Sequence, residues 1–176
     1  ATDGTARTAR LTTPHGVVRT PAFMPVGTAG AMKGMHWREV RDAGADIVLG
    51  NTYHLLLLPG VELFERVGGI HRFMGWDGPV LTDSGGYQIF SLAEDRTISE
   101  KGARFRSYTD RQMHLLSPER SIAVQTAIGA DIMMVLDVCV DARSDLATTR
   151  AAMERTHRWA LRSLAARRDT DRKSVV

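Results

Sequence analysis

The chain has 176 residues, of which 43% are hydrophobic and 24% are charged, with a single cysteine and a formal net charge of +3. This composition is typical of globular proteins and excludes collagen-like and intrinsically disordered chains. One cysteine excludes a disulfide framework and any zinc site built on paired cysteines of this chain. We find no apolar run of about 18 residues and no signal peptide, so we expect a cytoplasmic protein that does not enter a membrane.

The positive charge is concentrated near the C-terminal end of the sequence. Residues 1–149 hold 15 Lys and Arg against 17 Asp and Glu, whereas residues 150–176 hold 8 against 3. Arginine makes up 20 of the 23 basic side chains, and its planar guanidinium suits phosphate and carboxylate contacts. This stretch fits either a nucleic-acid contact or the solvated face of a helix, and the solvated face is the more common case.

Short apolar segments alternate with helical patterns along the chain. The pattern predicts four strands, over residues 22–26, 46–50, 79–83 and 131–136, and four main helices, over residues 37–43, 61–67, 118–128 and 144–168. A glycine-rich turn at residues 27–34 lacks the GxGxxG and Walker patterns and gives little support for a phosphate cradle. A hairpin of residues 104–106 with 112–115 interrupts the alternation, and we expect further strands near the N-terminus.

Buried strands that alternate with helices indicate a parallel sheet covered on both faces. Four such units suit a small open sheet, while a (β/α)₈ barrel needs twice as many and about 250 residues. Periodicity leaves both alternatives open: a small open sheet or the first half of a barrel. Because the sequence opens on Ala1 rather than Met and ends without a closing element, we expect a fragment.

Polar residues follow three of the predicted strands, where parallel α/β folds collect their reactive groups. The most informative segment starts at Asp83, and Ser84, Gly85 and Gly86 then form a turn whose N–H groups can approach a ligand. Tyr87 adds a flat stacking face and Gln88 adds a donor and an acceptor. The set suits a planar heterocycle, although Asp83 as a cap and glycines that merely turn the chain remain the alternative.

Asp83 and Asp137 form a candidate carboxylate pair. Such a pair can act at an anomeric carbon, or one carboxylate can bind the N–H groups of a purine-like ring while the other transfers a proton. A helix-capping role for Asp137 stays open, as does a buried structural thiol rather than a nucleophile for Cys139. The six histidines show no metal-ligand spacing, so we predict no metal site in this chain.

These segments resemble the bacterial-type tRNA-guanine transglycosylase (queuine tRNA-ribosyltransferase) family. The resemblance covers about residues 3–168 and is carried by FMPVGT (23–28), LGNTYHL (49–55), FMGW (73–76), LTDSGGYQ (81–88) and LSPERS (116–121), followed by Asp137 and Cys139. Where bacterial members commonly carry Asp-Glu-Cys, this chain has Val138 in the middle, which bears on the choice among deazaguanine bases.

The resemblance implies a TIM barrel of the (β/α)₈ type, with residues 1–176 as the incomplete N-terminal part of one domain. It implies exchange of guanine at the tRNA wobble position for a 7-deazaguanine through a covalent ribosyl-enzyme intermediate. Asp83 would be the general acid/base, Tyr87 would stack on the base and Asp137 would bind its N–H groups. The remaining substrate-binding residues implied in this way are Asn51, Ser84, Gly85, Gly86, Gln88 and Cys139.

The resemblance also implies what this chain lacks. The family's nucleophilic aspartate, its glycine-rich base-pocket loop, a structural Cys/His zinc site and most of the tRNA-binding surface belong to its second half, and the full-length protein would be a homodimer. We therefore expect the fragment alone to be inactive. Two other functions remain open: a non-catalytic half-barrel or accessory subunit that binds tRNA or a partner, and a glycosidase-like hydrolase using Asp83 and Asp137.

Overall fold

The structure is a computed structural model and describes residues 2–93, 95–167 and 173–175. Its helices are α1 (Trp37–Asp42), α2 (Thr52–Leu57), α3 (Val61–Val67), α4 (Ile70–Met74), α5 (Gly86–Leu92), α6 (Pro118–Ile128) and α7 (Leu146–Ala166). Its strands are β1 (Thr2–Asp3), β2 (Ala6–Arg7), β3 (Ala9–Thr13), β4 (Gly16–Thr20), β5 (Val48–Gly50), β6 (Val80–Thr82), β7 (Arg96–Ser99), β8 (Gly102–Arg106), β9 (Met113–Leu116), β10 (Ile132–Met134) and β11 (Lys173–Val175).

The central sheet is parallel and consists of β5, β6, β10 and β11 in that spatial order. Within this sheet each strand lies beside the one that precedes it in chain order, and every connection contains at least one helix. The order therefore lacks the reversal that marks a doubly wound sheet. The predicted α/β class with a parallel sheet is correct, and the described residues do not form a closed barrel.

The prediction of a strand over residues 22–26 is wrong, because the structure has no strand there. Only Val26 forms a parallel bridge, to Leu49 of β5. Two hydrogen bonds flank this bridge, from Gly27 N to the Leu49 carbonyl at 2.8 Å and from Leu49 N to the Pro25 carbonyl at 2.9 Å. Pro21 and Pro25 have no N–H to donate to a ladder, so this segment lies along the sheet edge without extending it.

The helix predictions are accurate where capping signals are strong. Helix α6 spans the predicted residues, and Ser117 Oγ accepts a hydrogen bond from Arg120 N at 3.1 Å with Pro118 at the first helical position. Helix α3 also matches and ends at Gly68, whose φ is +86°. The short helices α2, α4 and α5 were not predicted, and none of them has a side chain that caps its first turn.

The N-terminal strands form two antiparallel hairpins, β1–β2 and β3–β4, as expected. The predicted interruption after β6 is a sheet of three antiparallel strands, β7 to β9, rather than a two-stranded hairpin. We call β7 to β9 the inserted sheet. Among the described helices, none combines the length and the apolar character that crossing a membrane requires.

Two of the three groups of buried apolar side chains pack the helices and the inserted sheet around the central sheet. The first packs β5 and β6 against α1 to α4 and α6, and its members are Val40, Val48, Leu55, Phe64, Ile70, Trp76, Val80, Val124 and Ile128. The second joins α2, α5, the inserted sheet and α7 through Tyr53, Ile89, Ala93, Ala103, Phe105, Leu116, Leu136 and Trp159. Burying a large apolar side chain contributes about 1.5–3 kcal/mol, so the second group anchors the inserted sheet to α2 and α5.

Three of the four arginines of α7 form ion pairs with carboxylates of neighbouring elements. Nε of Arg158 lies 2.9 Å from Glu100 Oε1, and Nε of Arg155 lies 3.4 Å from Glu100 Oε2. Nε of Arg162 lies 2.7 Å from Glu119 Oε1. These pairs tie α7 to the inserted sheet and to α6. For these three arginines the structure favours a packing role over a nucleic-acid contact.

Candidate active site

The site lies at the carboxyl ends of three neighbouring strands. Asn51 directly follows β5, Asp83 directly follows β6, and Asp137 lies three residues beyond β10. A cavity of about 570 Å³ opens at this edge, where the ligand site of a parallel sheet is expected. Its lining residues are Asp83, Ser84, Gly85, Tyr87, Gln88, Met134, Val135, Asp137, Thr156, His157 and Ala160.

Asp83 accepts hydrogen bonds from three donors on two elements. Its Oδ2 accepts from Asn51 Nδ2 at 2.7 Å and from Gln88 Nε2 at 3.0 Å, and its Oδ1 accepts from the backbone N–H of Thr52 at 2.7 Å. The Thr52 hydroxyl also donates to the Asp83 carbonyl at 2.6 Å. The carboxylate is therefore fixed in orientation, and Asn51 takes part in the site through its hydrogen bond to Asp83.

Burial raises the pKa of Asp83 above its usual value, even though the hydrogen bonds from Asn51, Thr52 and Gln88 lower it. Removing a carboxylate from water favours its neutral form, and this effect outweighs the donors. A carboxyl group whose pKa moves toward neutrality is better suited to give and take a proton. A simple capping role for Asp83 does not require this environment.

Both carboxylate oxygens of Asp137 accept hydrogen bonds from neighbouring side chains. The Ser84 hydroxyl donates to Asp137 Oδ1 at 2.9 Å, and the Cys139 thiol donates to Asp137 Oδ2 at 3.4 Å. Ser84 Oγ in turn accepts a hydrogen bond from Gly86 N at 3.1 Å. Each carboxylate oxygen keeps a second acceptor position, so Asp137 can still receive two N–H donors of a ligand.

The turn between Asp83 and α5 requires glycine. Gly85 has a φ of +85°, which is the left-handed region that glycine favours. A Cβ at Gly86 would lie 2.5 Å from Oδ1 of Asp137 and 2.8 Å from its carbonyl oxygen. The absence of a side chain at Gly86 lets the start of α5 lie in direct contact with Asp137.

Tyr87 and Gln88 present different groups to the site. The side chain of Tyr87 is 62% exposed and therefore available for stacking. Gln88 donates to Asp83 through Nε2, while its Oε1 is buried and has no hydrogen-bond partner among the described residues. Leaving a buried acceptor such as Gln88 Oε1 without a hydrogen bond costs free energy. An N–H or O–H group of a bound ligand would supply the missing donor.

The sequence patterns missed three contributors to the site. Thr52 holds both the carboxylate and the carbonyl of Asp83, and its place beside Asn51 in a strand-end segment was the available signal. Thr156 and His157 of α7 line the cavity. They lie far from the other site residues in the sequence, so no local pattern could have indicated them.

Cys139 is not suited to nucleophilic attack. Burial, together with the charge and hydrogen bond of Asp137, raises the pKa of the Cys139 thiol to about 12. Attack requires the thiolate, so this environment favours the structural alternative. One cysteine does not supply a zinc site with several cysteine ligands, and the family resemblance assigns the structural zinc to the second half of the family's proteins.

A second polar cluster lies near the opposite end of the sheet, where Asp131 precedes β10. Its Oδ1 contacts His15 Nδ1 at 2.7 Å and its Oδ2 contacts His71 Nε2 at 3.1 Å. The two imidazole rings are stacked, with centroids 3.5 Å apart and planes 16° apart. Nearly parallel rings do not point their in-plane lone pairs at one ion, so the geometry favours hydrogen bonds to Asp131 over shared metal coordination.

Residues 3–176 match the family model described as queuine tRNA-ribosyltransferase. The chain belongs to this family. The relatives described next carry the same name.

Relatives in several bacteria support the assignment. The chain is 54% identical over 174 residues to a queuine tRNA-ribosyltransferase of Solidesulfovibrio magneticus, covering 99% of this chain and 47% of that protein. It is 57% identical over 161 residues to one of Desulforudis audaxviator, with 92% and 43% covered. It is 51% identical over 175 residues to one of Brucella suis, with 99% and 46% covered. The chain spans about half the length of the curated relatives it matches.

Proposed function

We propose that the protein containing this chain exchanges a guanine of tRNA, at the wobble position, for a 7-deazaguanine base. One observation carries the proposal: Asp83 and Asp137 line one cavity together with the exposed ring of Tyr87. A planar base on Tyr87 would have one carboxylate available for proton transfer and one for its N–H groups. Membership of a family whose relatives are named queuine tRNA-ribosyltransferases supports the same reaction.

Asp83 is the general acid/base of this proposal. A carboxylate nucleophile attacks C1′ of the ribose, the C1′–N9 bond breaks, and Asp83 protonates the departing guanine. Asp83 then takes the proton from the incoming base, whose nitrogen attacks C1′ and releases the nucleophile. The raised pKa of Asp83 suits both steps, because the group must exist in either protonation state during one cycle.

In this scheme Gln88 forms a hydrogen bond with Asp83 in either protonation state of the carboxyl group. When Asp83 is ionised, the Gln88 amide donates to it through Nε2. When Asp83 is protonated, rotation of the amide by half a turn presents Oε1, which otherwise has no partner, as the acceptor for the new O–H group. Gln88 thus supplies a hydrogen bond to both protonation states.

The nucleophile and the structural zinc belong, in this proposal, to the half of the relatives that this chain does not match. We further propose that the sheet continues into a (β/α)₈ barrel. The unbroken order of Val26, β5, β6, β10 and β11 supports a barrel, because every strand lies next to its predecessor. The complete protein is then required for exchange, and homodimer formation remains an expectation from the family resemblance.

The decisive experiment measures incorporation of labelled guanine into tRNA by the complete gene product. We expect steady incorporation by the wild type, none by Asp83→Asn, and normal incorporation by Asp77→Asn, which removes a carboxylate whose side chain is 87% exposed. Residues 1–176 alone should give no incorporation. Hydrolysis of an aryl glycoside without any base exchange would support the glycosidase alternative. Binding of tRNA without exchange would support the accessory-subunit alternative.

A further inference from the structure

The inserted sheet carries a polar cavity that the reaction described above does not use. The cavity has a volume of about 480 Å³ and is lined by Leu92, Asp95, Arg106, Tyr108 and Arg111. Residues 95–116 contain five Lys and Arg against three Asp and Glu. The cavity therefore belongs to a segment with a local excess of positive charge, outside the basic C-terminal stretch.

The two arginines of this cavity differ in whether a carboxylate compensates their charge. Nε and Nη2 of Arg106 donate to Oδ2 of Asp95 at 3.2 Å and 3.0 Å, and its Nη1 donates to the Arg111 carbonyl at 3.0 Å. Asp95 thus neutralises Arg106 and fixes its orientation. Within the described part of the chain, the guanidinium of Arg111 makes no hydrogen bond and no ion pair, so Arg111 provides the uncompensated charge.

Arg111 occupies a backbone conformation that favours glycine. Its φ is +61°, and among the described residues it is the one non-glycine residue with a positive φ. Such a conformation costs an L-residue about 1–2 kcal/mol. The turn is closed by a hydrogen bond from Arg111 N to the Ser107 carbonyl at 3.1 Å. The chain therefore holds an arginine side chain at a place where glycine would be less strained.

The cavity is connected to the candidate active site through two elements. Helix α5 begins at Gly86 beside Asp137 and ends at Leu92 in this cavity, and its seven residues span about 10 Å. Tyr108 Oη lies 3.1 Å from Nδ1 of His54 on α2, the helix that follows Asn51. Both cavities therefore adjoin α5, and Tyr108 links the inserted sheet to the helix that follows Asn51.

We propose that this cavity binds a backbone phosphate of the RNA substrate, with Arg111 as the principal cationic donor and the Tyr108 hydroxyl and Arg106 as secondary donors. Guanidinium groups suit phosphate because their N–H groups match its oxygens in pairs. The inference rests on the proposed function, since it takes RNA as the substrate. It adds a positioning contact outside the base cavity, and Arg111 touches no reacting atom.

The variant Arg111→Gly tests the phosphate contact with little risk to the fold, because glycine relieves the positive φ. With the complete gene product and a tRNA substrate, we expect the KM for RNA to rise several-fold while kcat and the KM for guanine stay unchanged. The slope of log Kd against log salt concentration should decrease by about 1, which corresponds to the loss of one phosphate contact. The matched control is Arg38→Ala, which removes an exposed arginine of α1 and should change neither quantity.

Two results would overturn the assignment. One is an RNA affinity and salt slope for Arg111→Gly that equal those of Arg38→Ala. The other is binding of inorganic phosphate alone that depends on Arg111 and does not compete with RNA, which would indicate a free-anion site. Direct RNA binding tests the cavity independently of catalysis, so a wild type without exchange would contradict the base-exchange proposal and leave this measurement valid.

Discussion

Gly86 lies against Asp137 so closely that a Cβ at this position would come 2.5 Å from Oδ1 and 2.8 Å from the carbonyl oxygen of Asp137. One of the two contacted atoms is backbone, so the strain cannot be relieved by a rotamer change. The contact joins the turn after β6 to the segment after β10. The relative position of Asp83 and Asp137 therefore depends on the absence of a side chain at residue 86.

The substitution Gly86→Ala should displace Asp137 and weaken binding of the base. Overpacking of this kind costs about 1–3 kcal/mol, and we expect a lower thermal midpoint together with a KM for guanine raised at least tenfold. The matched control is Gly50→Ala, whose Cβ would meet only side-chain carbons, at 3.3 Å or more. A Gly86→Ala protein with wild-type KM would contradict this prediction.

The strand-end rule predicted where Asp83 and Asp137 meet, because neighbouring parallel strands bring their carboxyl ends to one edge. It could not predict how the carboxylates are held. Two of the three donors to the Asp83 carboxylate come from Asn51 and Thr52, which lie 32 and 31 residues away, and such pairings depend on strand register. The positive φ of Arg111 could not be predicted from the sequence either, because arginine has no preference for that conformation.

Replacing Asn51 by Ala should make exchange more sensitive to acid. The hydrogen bond from Asn51 Nδ2 lowers the pKa of Asp83, so its loss raises that pKa further. Deprotonation of the incoming base needs ionised Asp83. The acidic limb of kcat/KM for guanine, which reports on the ribosyl-enzyme after the first base has left, should therefore move to higher pH, with activity largely recovered at alkaline pH. A profile that only drops in height, without a shift along the pH axis, would show that Asn51 does not act through Asp83.

The thiol of Cys139 should be dispensable as a nucleophile but useful as a donor to Asp137. With a pKa of about 12, the thiol stays protonated at neutral pH, and we expect slow alkylation by iodoacetamide at pH 8. Cys139→Ser keeps an O–H donor and should retain near-normal exchange, whereas Cys139→Ala removes it and should raise the KM for guanine several-fold. Equal loss of kcat in both variants would contradict the positioning role.

Asp131 should stabilise the fold in a pH-dependent way. Its side chain is fully buried, and although burial raises its pKa, hydrogen bonds from His71, His15 and the Val80 N–H lower that pKa to about 2. Because the unfolded value is about 3.9, the ionised form stabilises the native state above about pH 4. This stabilisation is lost as the pH falls toward 2.

The substitution Asp131→Asn should reduce the free energy of unfolding at neutral pH by about 2 kcal/mol. It should also flatten the loss of stability between about pH 4 and pH 2, since the titrating group is gone. Urea unfolding of the complete protein across this pH range measures both effects. The control Asp77→Asn removes an exposed carboxylate paired with Arg41, and surface pairs contribute little. If both variants lose stability with acid as steeply as the wild type, the buried carboxylate is not the source of the pH dependence.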